Sequence, residues 1–178
     1  MLKDIWENIQ NDRSLPNYPT ANKFVPGSGN PNANIVFVGE APGEVEDETG
    51  IPFTGPSGKL LNDTLFNLDV GRSDVYVTNV LKWRPPNNRK PYLSETRQFG
   101  AYLWQELISV NPQIIVCLGR SAFEAFFGPR QRLDFYDTYV LSGFNFVTVY
   151  HPSYVLRNLQ IKDEWTAQIK EVVDKYGI

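Results

Sequence analysis

Four short apolar runs, separated by helix-like segments, constrain this chain more than any other feature. They are Asn34 to Val38, Val75 to Val80, Ile114 to Leu118 and Phe146 to Tyr150. Each is rich in β-branched or aromatic residues, as strands buried on both faces are. Helical patterning predicts segments at about Leu2 to Gln10, Pro56 to Asn67, Ser94 to Val110 with Ser94 as N-cap, a short stretch after Arg120, and Lys162 to Tyr176. Strands alternating with helices predict a three-layer α/β/α domain around a central, mainly parallel four-stranded sheet. The chain's 178 residues suit one such domain, spanning 1–178.

Composition narrows the function. One cysteine, Cys117, and one histidine, His151, exclude an intramolecular disulfide and a cysteine-rich zinc or iron-sulfur site within one chain. No metal and no other cofactor is expected. The first residues lack the apolar core of a signal peptide, and no run is long enough to span a bilayer. A soluble, cytoplasmic protein without membrane partners is the expectation. The net charge of −3 speaks against a non-specific nucleic-acid binder unless positive charge is concentrated locally.

In parallel sheets, ligands sit at the carboxyl ends of the strands. The unusual residues fall there. Gly39-Glu40-Ala41-Pro42-Gly43 follows the first run, Asn79 ends the second, and His151-Pro152-Ser153 follows the fourth. Three distant segments should therefore meet at one rim. The glycine-proline loop, continued by Gly50 to Gly58, is neither a Walker loop nor a Rossmann turn. It either offers backbone N–H groups to a ligand or is an ordinary tight turn. Asn79 either reads a base edge or ties down its own loop. Lys82, Arg84, Arg89 and Lys90 form a basic stretch that either follows a phosphate backbone or is merely solvated. A lone histidine is usually structural, but its place after a strand suits a neutral imidazole that donates to developing negative charge.

Taken together, these segments resemble the uracil-DNA glycosylase superfamily, family 4 in particular. The matching motifs are Gly39 to Gly43 with Glu46-Asp47, Gly50 to Phe53, Gly58 to Leu61, Thr78 to Arg89, Val116 to Arg120 and His151 to Asn158, in that order. Most family 4 enzymes hold a four-iron, four-sulfur cluster on four cysteines. Here the equivalent positions fall at Trp83, near Phe99, and near Gln10 and Arg13. The cluster is expected to be absent, with Trp83 and Phe99 filling part of its space.

The resemblance implies monofunctional hydrolysis of the deoxyuridine N-glycosidic bond in DNA, releasing uracil and leaving an abasic site for base excision repair. Phe53 would stack on the flipped base. Asn79 would pair with uracil N3–H and O4, leaving cytosine mispaired. His151 would donate to O2. Backbone groups of the Glu40 to Gly43 loop, Ala41 and Gly43 among them, would support the same oxygens. Glu40 would orient water and offset the positive sugar. Ser57, Gly58, Lys82, Arg84, Arg89, Ser153 and Arg157 would contact DNA, with Arg157 or Leu156 filling the gap left by the base. A monomer acting on uracil-containing DNA, beside replication or repair proteins, is the expected assembly. Three alternatives stay open: a glycosylase that also takes hypoxanthine or xanthine, a weakly catalytic uracil-DNA binding module of a replication assembly, and a mononucleotide-binding α/β protein.

Overall fold

The four apolar runs become four neighbouring parallel strands. The computed structural model describes residues 1–16 and 18–177. Its strands are β1 (Ser28–Gly29), β2 (Ile35–Gly39), β3 (Tyr76–Asn79), β4 (Ile114–Leu118), β5 (Thr138–Leu141) and β6 (Phe144–Val149). Their order across the sheet is β1-β3-β2-β4-β6-β5. The inner pairs β3–β2, β2–β4 and β4–β6 are parallel, and both edge strands are antiparallel. The four-stranded expectation is thus corrected to six strands among the described residues. Of the two edge strands, β1 is only two residues, whereas β5, Thr-Tyr-Val-Leu, is strand-like in sequence and was passed over as the first arm of a hairpin with β6.

Seven α-helices flank the sheet among the described residues: α1 (Leu2–Asn11), α2 (Glu44–Thr49), α3 (Pro56–Phe66), α4 (Leu93–Val110), α5 (Arg120–Phe127), α6 (Pro152–Arg157) and α7 (Lys162–Tyr176). The side chains of a strand point to alternate faces, and this splits the core in two. Val36, Val38, Ile115 and Cys117 pack with Ile5, Ile9, Leu103, Leu107 and Phe123 from α1, α4 and α5. Ile35, Phe37, Ile114 and Val116 pack with Leu61, Leu65, Trp165 and Ile169 from α3 and α7. Three layers result, as predicted. No helix among the described residues is long and apolar enough to cross a membrane.

The start of α4 differs from the expected Ser94 cap. Tyr92 occupies the N-cap, and Glu95 reaches back to accept its N–H at 2.7 Å, the reciprocal half of a capping box. Glu95 also takes both arms of the Arg89 guanidinium, at 2.9 and 2.6 Å. That partner holds the Glu95 carboxyl down at about 2. The segment between α1 and β1 is clasped to α4: Tyr102 donates to Asp12 at 2.8 Å and Gln98 to the Ser14 carbonyl at 3.2 Å. Beneath it, Trp83 packs between Phe24 and Phe99, with ring centroids 5.3 and 5.9 Å apart.

Candidate active site

Strand ends build the site. β2, β3 and β6 run parallel with the sheet and finish at the same rim, so the residues that follow them converge. Phe53, Asn79 and His151 line one cleft of about 380 Å³, together with Ala41, Gly43, Glu46, Ser57, Gly58 and Asn88. The three residues that were expected to meet do share one slot.

Gly39 is what allows the slot its depth. A Cβ at this position would run into Asn79 Oδ1 and would lie 2.8 Å from Phe53 Cζ. The amide and the ring therefore face each other across the bare end of β2. Asn79 and Phe53 are each 5% exposed. Among the described residues, no protein group hydrogen-bonds the Asn79 amide side chain, and the residue lines the cleft. Phe53 has a left-handed backbone, with φ of 59°, which is uncommon for a ring-bearing residue. Its loop is clamped from two sides. Asn62 donates to the Phe53 carbonyl at 3.1 Å, and Gly58 lies so close to the Phe53 backbone that no Cβ would fit there.

The second clamp is Glu46, a nearly buried carboxylate to which the sequence reading gave no role. It accepts the N–H of Gly55 at 2.7 Å, of Thr54 at 3.0 Å and of Gly43 at 3.2 Å. One side chain thus joins the two loops that wall the cleft. The signal was present: Glu46 stands three residues after the N-cap Gly43, at capping-box spacing. The contact also corrects the expectation for Gly43, which lines the cleft but whose N–H is already engaged. Its neighbour Asp47, wholly buried, accepts from Asn22 at 2.8 and 2.7 Å and so ties the preceding segment to α2.

His151 is the N-cap of α6, and its Nδ1 accepts the Ser153 N–H at 3.1 Å. The Ser153 hydroxyl stands 2.7 Å from the same nitrogen. A ring that accepts at Nδ1 carries its proton on Nε2 when neutral. Burial, with a smaller contribution from the Arg157 charge, pushes the His151 pKa down to about 4. The imidazole is therefore neutral near pH 7 and holds one N–H to offer.

Glu40 lies outside the first cleft. It lines an adjoining one of about 330 Å³ with Asn88, Lys90, Arg120, Ser153, Arg157 and, again, His151. His151 and Asn88 form the boundary between the two. Ser57 and Gly58 line the first cleft. The expected basic stretch divides. Lys82 is 0% exposed and ion-paired to Glu106 at 2.6 Å, so it cannot reach a phosphate; its assignment to DNA contact is corrected. Arg84 bonds Asn88 at 2.7 Å and Glu44 at 3.3 Å. Arg89 is engaged by Glu95 and lies over the Tyr92 ring at 4.1 Å. Lys90, the last cation of that stretch, and Arg120, which was not singled out, border the second cleft.

A family model described as the uracil DNA glycosylase superfamily matches residues 26–172. The type-4 uracil-DNA glycosylase of Archaeoglobus fulgidus is 40% identical, over 99% of this chain and 94% of its own. That of Thermotoga maritima is 37% identical, over 89% and 84%. That of Saccharolobus solfataricus is 38% identical, over 86% and 78%.

Proposed function

The chain belongs to the uracil DNA glycosylase superfamily, and from that premise we propose that it hydrolyses the N-glycosidic bond of deoxyuridine in DNA. Uracil leaves and an abasic site remains. The observation that carries this reading is the Asn79 amide: nearly buried, without a side-chain partner among the described residues, and in one cleft with the Phe53 ring and His151.

A base in duplex DNA must be flipped out to be reached. In the cleft, the Phe53 ring stacks on the uracil face. The Asn79 oxygen accepts from N3–H and its nitrogen donates to O4. Cytosine has the opposite pattern at both atoms, and mispairing buried polar groups discriminates by roughly 10⁴-fold or more. The Nε2–H of His151 donates to O2 as charge collects on the departing base, a contribution of about 3 kcal/mol. Ala41 completes the loop beside these oxygens. In the adjoining cleft, Glu40 orients the attacking water and offsets the positive sugar. Lys90, Arg120 and Arg157 give the phosphate backbone a basic path past Ser153, while Ser57 contacts phosphate from the first cleft.

Lys82, whose ammonium bonds the Asn79 carbonyl, takes no part in covalent chemistry. All three of its N–H groups have acceptors, so it offers no free amine for a Schiff base. An iron-sulfur cluster does not fit this chain. The ring of Trp83 is in contact with Phe99 where two ligands would be needed, and the single cysteine is buried inside β4. No step runs through such a group.

Uracil release from single-stranded U, U:G, U:A and T:G oligonucleotides tests the reading. Release from the uracil substrates and not from T:G is expected, with losses on the order of 10²–10³-fold in His151→Ala. Unchanged release in His151→Ala and Asn79→Asp would refute the assigned roles. Release from hypoxanthine or xanthine substrates at the same rate would instead favour the broader glycosylase.

A further inference from the structure

Beneath Asn79 lies a buried polar network that the mechanism above does not use. Its centre is Glu106, a wholly buried carboxylate on α4. Oε1 accepts from the Tyr76 hydroxyl at 2.6 Å and from Trp6 Nε1 at 3.3 Å. Oε2 accepts from Thr78 at 3.1 Å and from Lys82 Nζ at 2.6 Å. The remaining Lys82 N–H groups go to Thr78 Oγ1 and to the main-chain carbonyl of Asn79, the latter at 2.8 Å. Each of the ammonium's three donors thus has an acceptor, and the carboxylate's lone pairs are filled.

We infer that Lys82, held by Glu106, is a positioning residue that aims the Asn79 amide into the base cleft through its hydrogen bond to the Asn79 carbonyl. This inference rests on the reading of Asn79 given above. Asn79 is the last residue of β3, and there the ladder to β2 ends: Val80 and Leu81 donate to Gly39 and Glu40 as the chain turns away. The carbonyl of Asn79 is directed to Lys82, and this bond, with that of the Val80 N–H to Gly39, holds the peptide plane following Asn79 and so the Cα–Cβ direction from which the amide extends. A compact ammonium with three donors can hold this carbonyl, the Thr78 hydroxyl and Glu106 at one point. Because Glu106 also binds α1 through Trp6, that point is anchored in two helices and the sheet.

Single-turnover uracil release in a double-mutant cycle tests this. Lys82→Met is expected to slow release on the order of 10²-fold, the scale of an ångström-level misplacement, with a much smaller change in KM. In an Asn79→Ala background, the same substitution should slow release no further. Lys82→Met/Glu106→Gln, which leaves no unpaired buried charge, should fold if Lys82→Met does not, and should show the same dependence on Asn79. Equal slowing in both backgrounds, or full activity in the neutral pair, would overturn the inference while the functional reading stands. A wild-type protein that releases no uracil would overturn both.

Discussion

The Nδ1 atom of His151 accepts the backbone N–H of Ser153, two residues along the same helix start, at 3.1 Å. This contact decides which ring nitrogen carries the proton. Because burial lowers the His151 pKa to about 4, the ring stays neutral across the physiological range. The expectation is a neutral Nε2–H tautomer in nitrogen-detected NMR, unchanged from pH 8 down to about 5. An imidazolium at pH 6, or the Nδ1–H tautomer, would contradict it.

The same shift has a sign in stability. The unfolded histidine, at about 6.5, binds its proton before the folded one does at about 4. Folding stability is therefore unaffected by this group above pH 6.5. It falls as pH drops from 6.5 toward 4, by about 3 kcal/mol when the window has been crossed. In His151→Gln that part of the acid slope should vanish, which urea denaturation at pH 7, 5.5 and 4.5 would measure.

Gly39→Ala should close the floor of the cleft, since its new methyl would meet both Asn79 Oδ1 and Phe53 Cζ. Overpacking of this kind typically costs about 1–3 kcal/mol. Uracil release should fall far more than the melting temperature implies, because the atoms displaced are those that hold the base. Wild-type release rates in a folded Gly39→Ala protein would show that the base does not sit there.

Glu46→Ala removes the acceptor shared by Gly43, Thr54 and Gly55. Each buried donor left without a partner costs about 1–3 kcal/mol. A melting temperature lowered by several degrees and a raised KM are expected, together with faster amide exchange in residues 53–55. Unaltered exchange there would mean that the loop stands without its carboxylate clamp.

The salt dependence of DNA binding separates the cations. Arg157→Ala and Arg120→Ala should each reduce the slope of log K against log salt by roughly 1, or about 0.7 on a single strand. Lys82→Met should leave that slope as it is, because the side chain is buried. A slope lowered equally in Lys82→Met would place the lysine on the DNA after all.

Much of this was legible before any coordinate. Strands buried on both faces read as unbroken apolar runs, so β2, β3, β4 and β6 stood out, and the end of a parallel strand is where Asn79 and His151 had to lie. The edge strand β1 is too short to carry such a mark, while β5 is strand-like in its residues but too short a run, with alternate positions exposed, to read as a buried strand. Nor did local pattern reveal that Lys82 is interior while Lys90 borders a cleft. Both belong to one basic stretch, and only the presence of Glu106, 24 residues onward on α4, makes burial of Lys82 tolerable. The chain's own sequence determined the layering and the rim on which the chemistry stands. The tertiary structure alone decided which charges are spent inside, since the cost of burying a charge is set by the partner that packing brings to it.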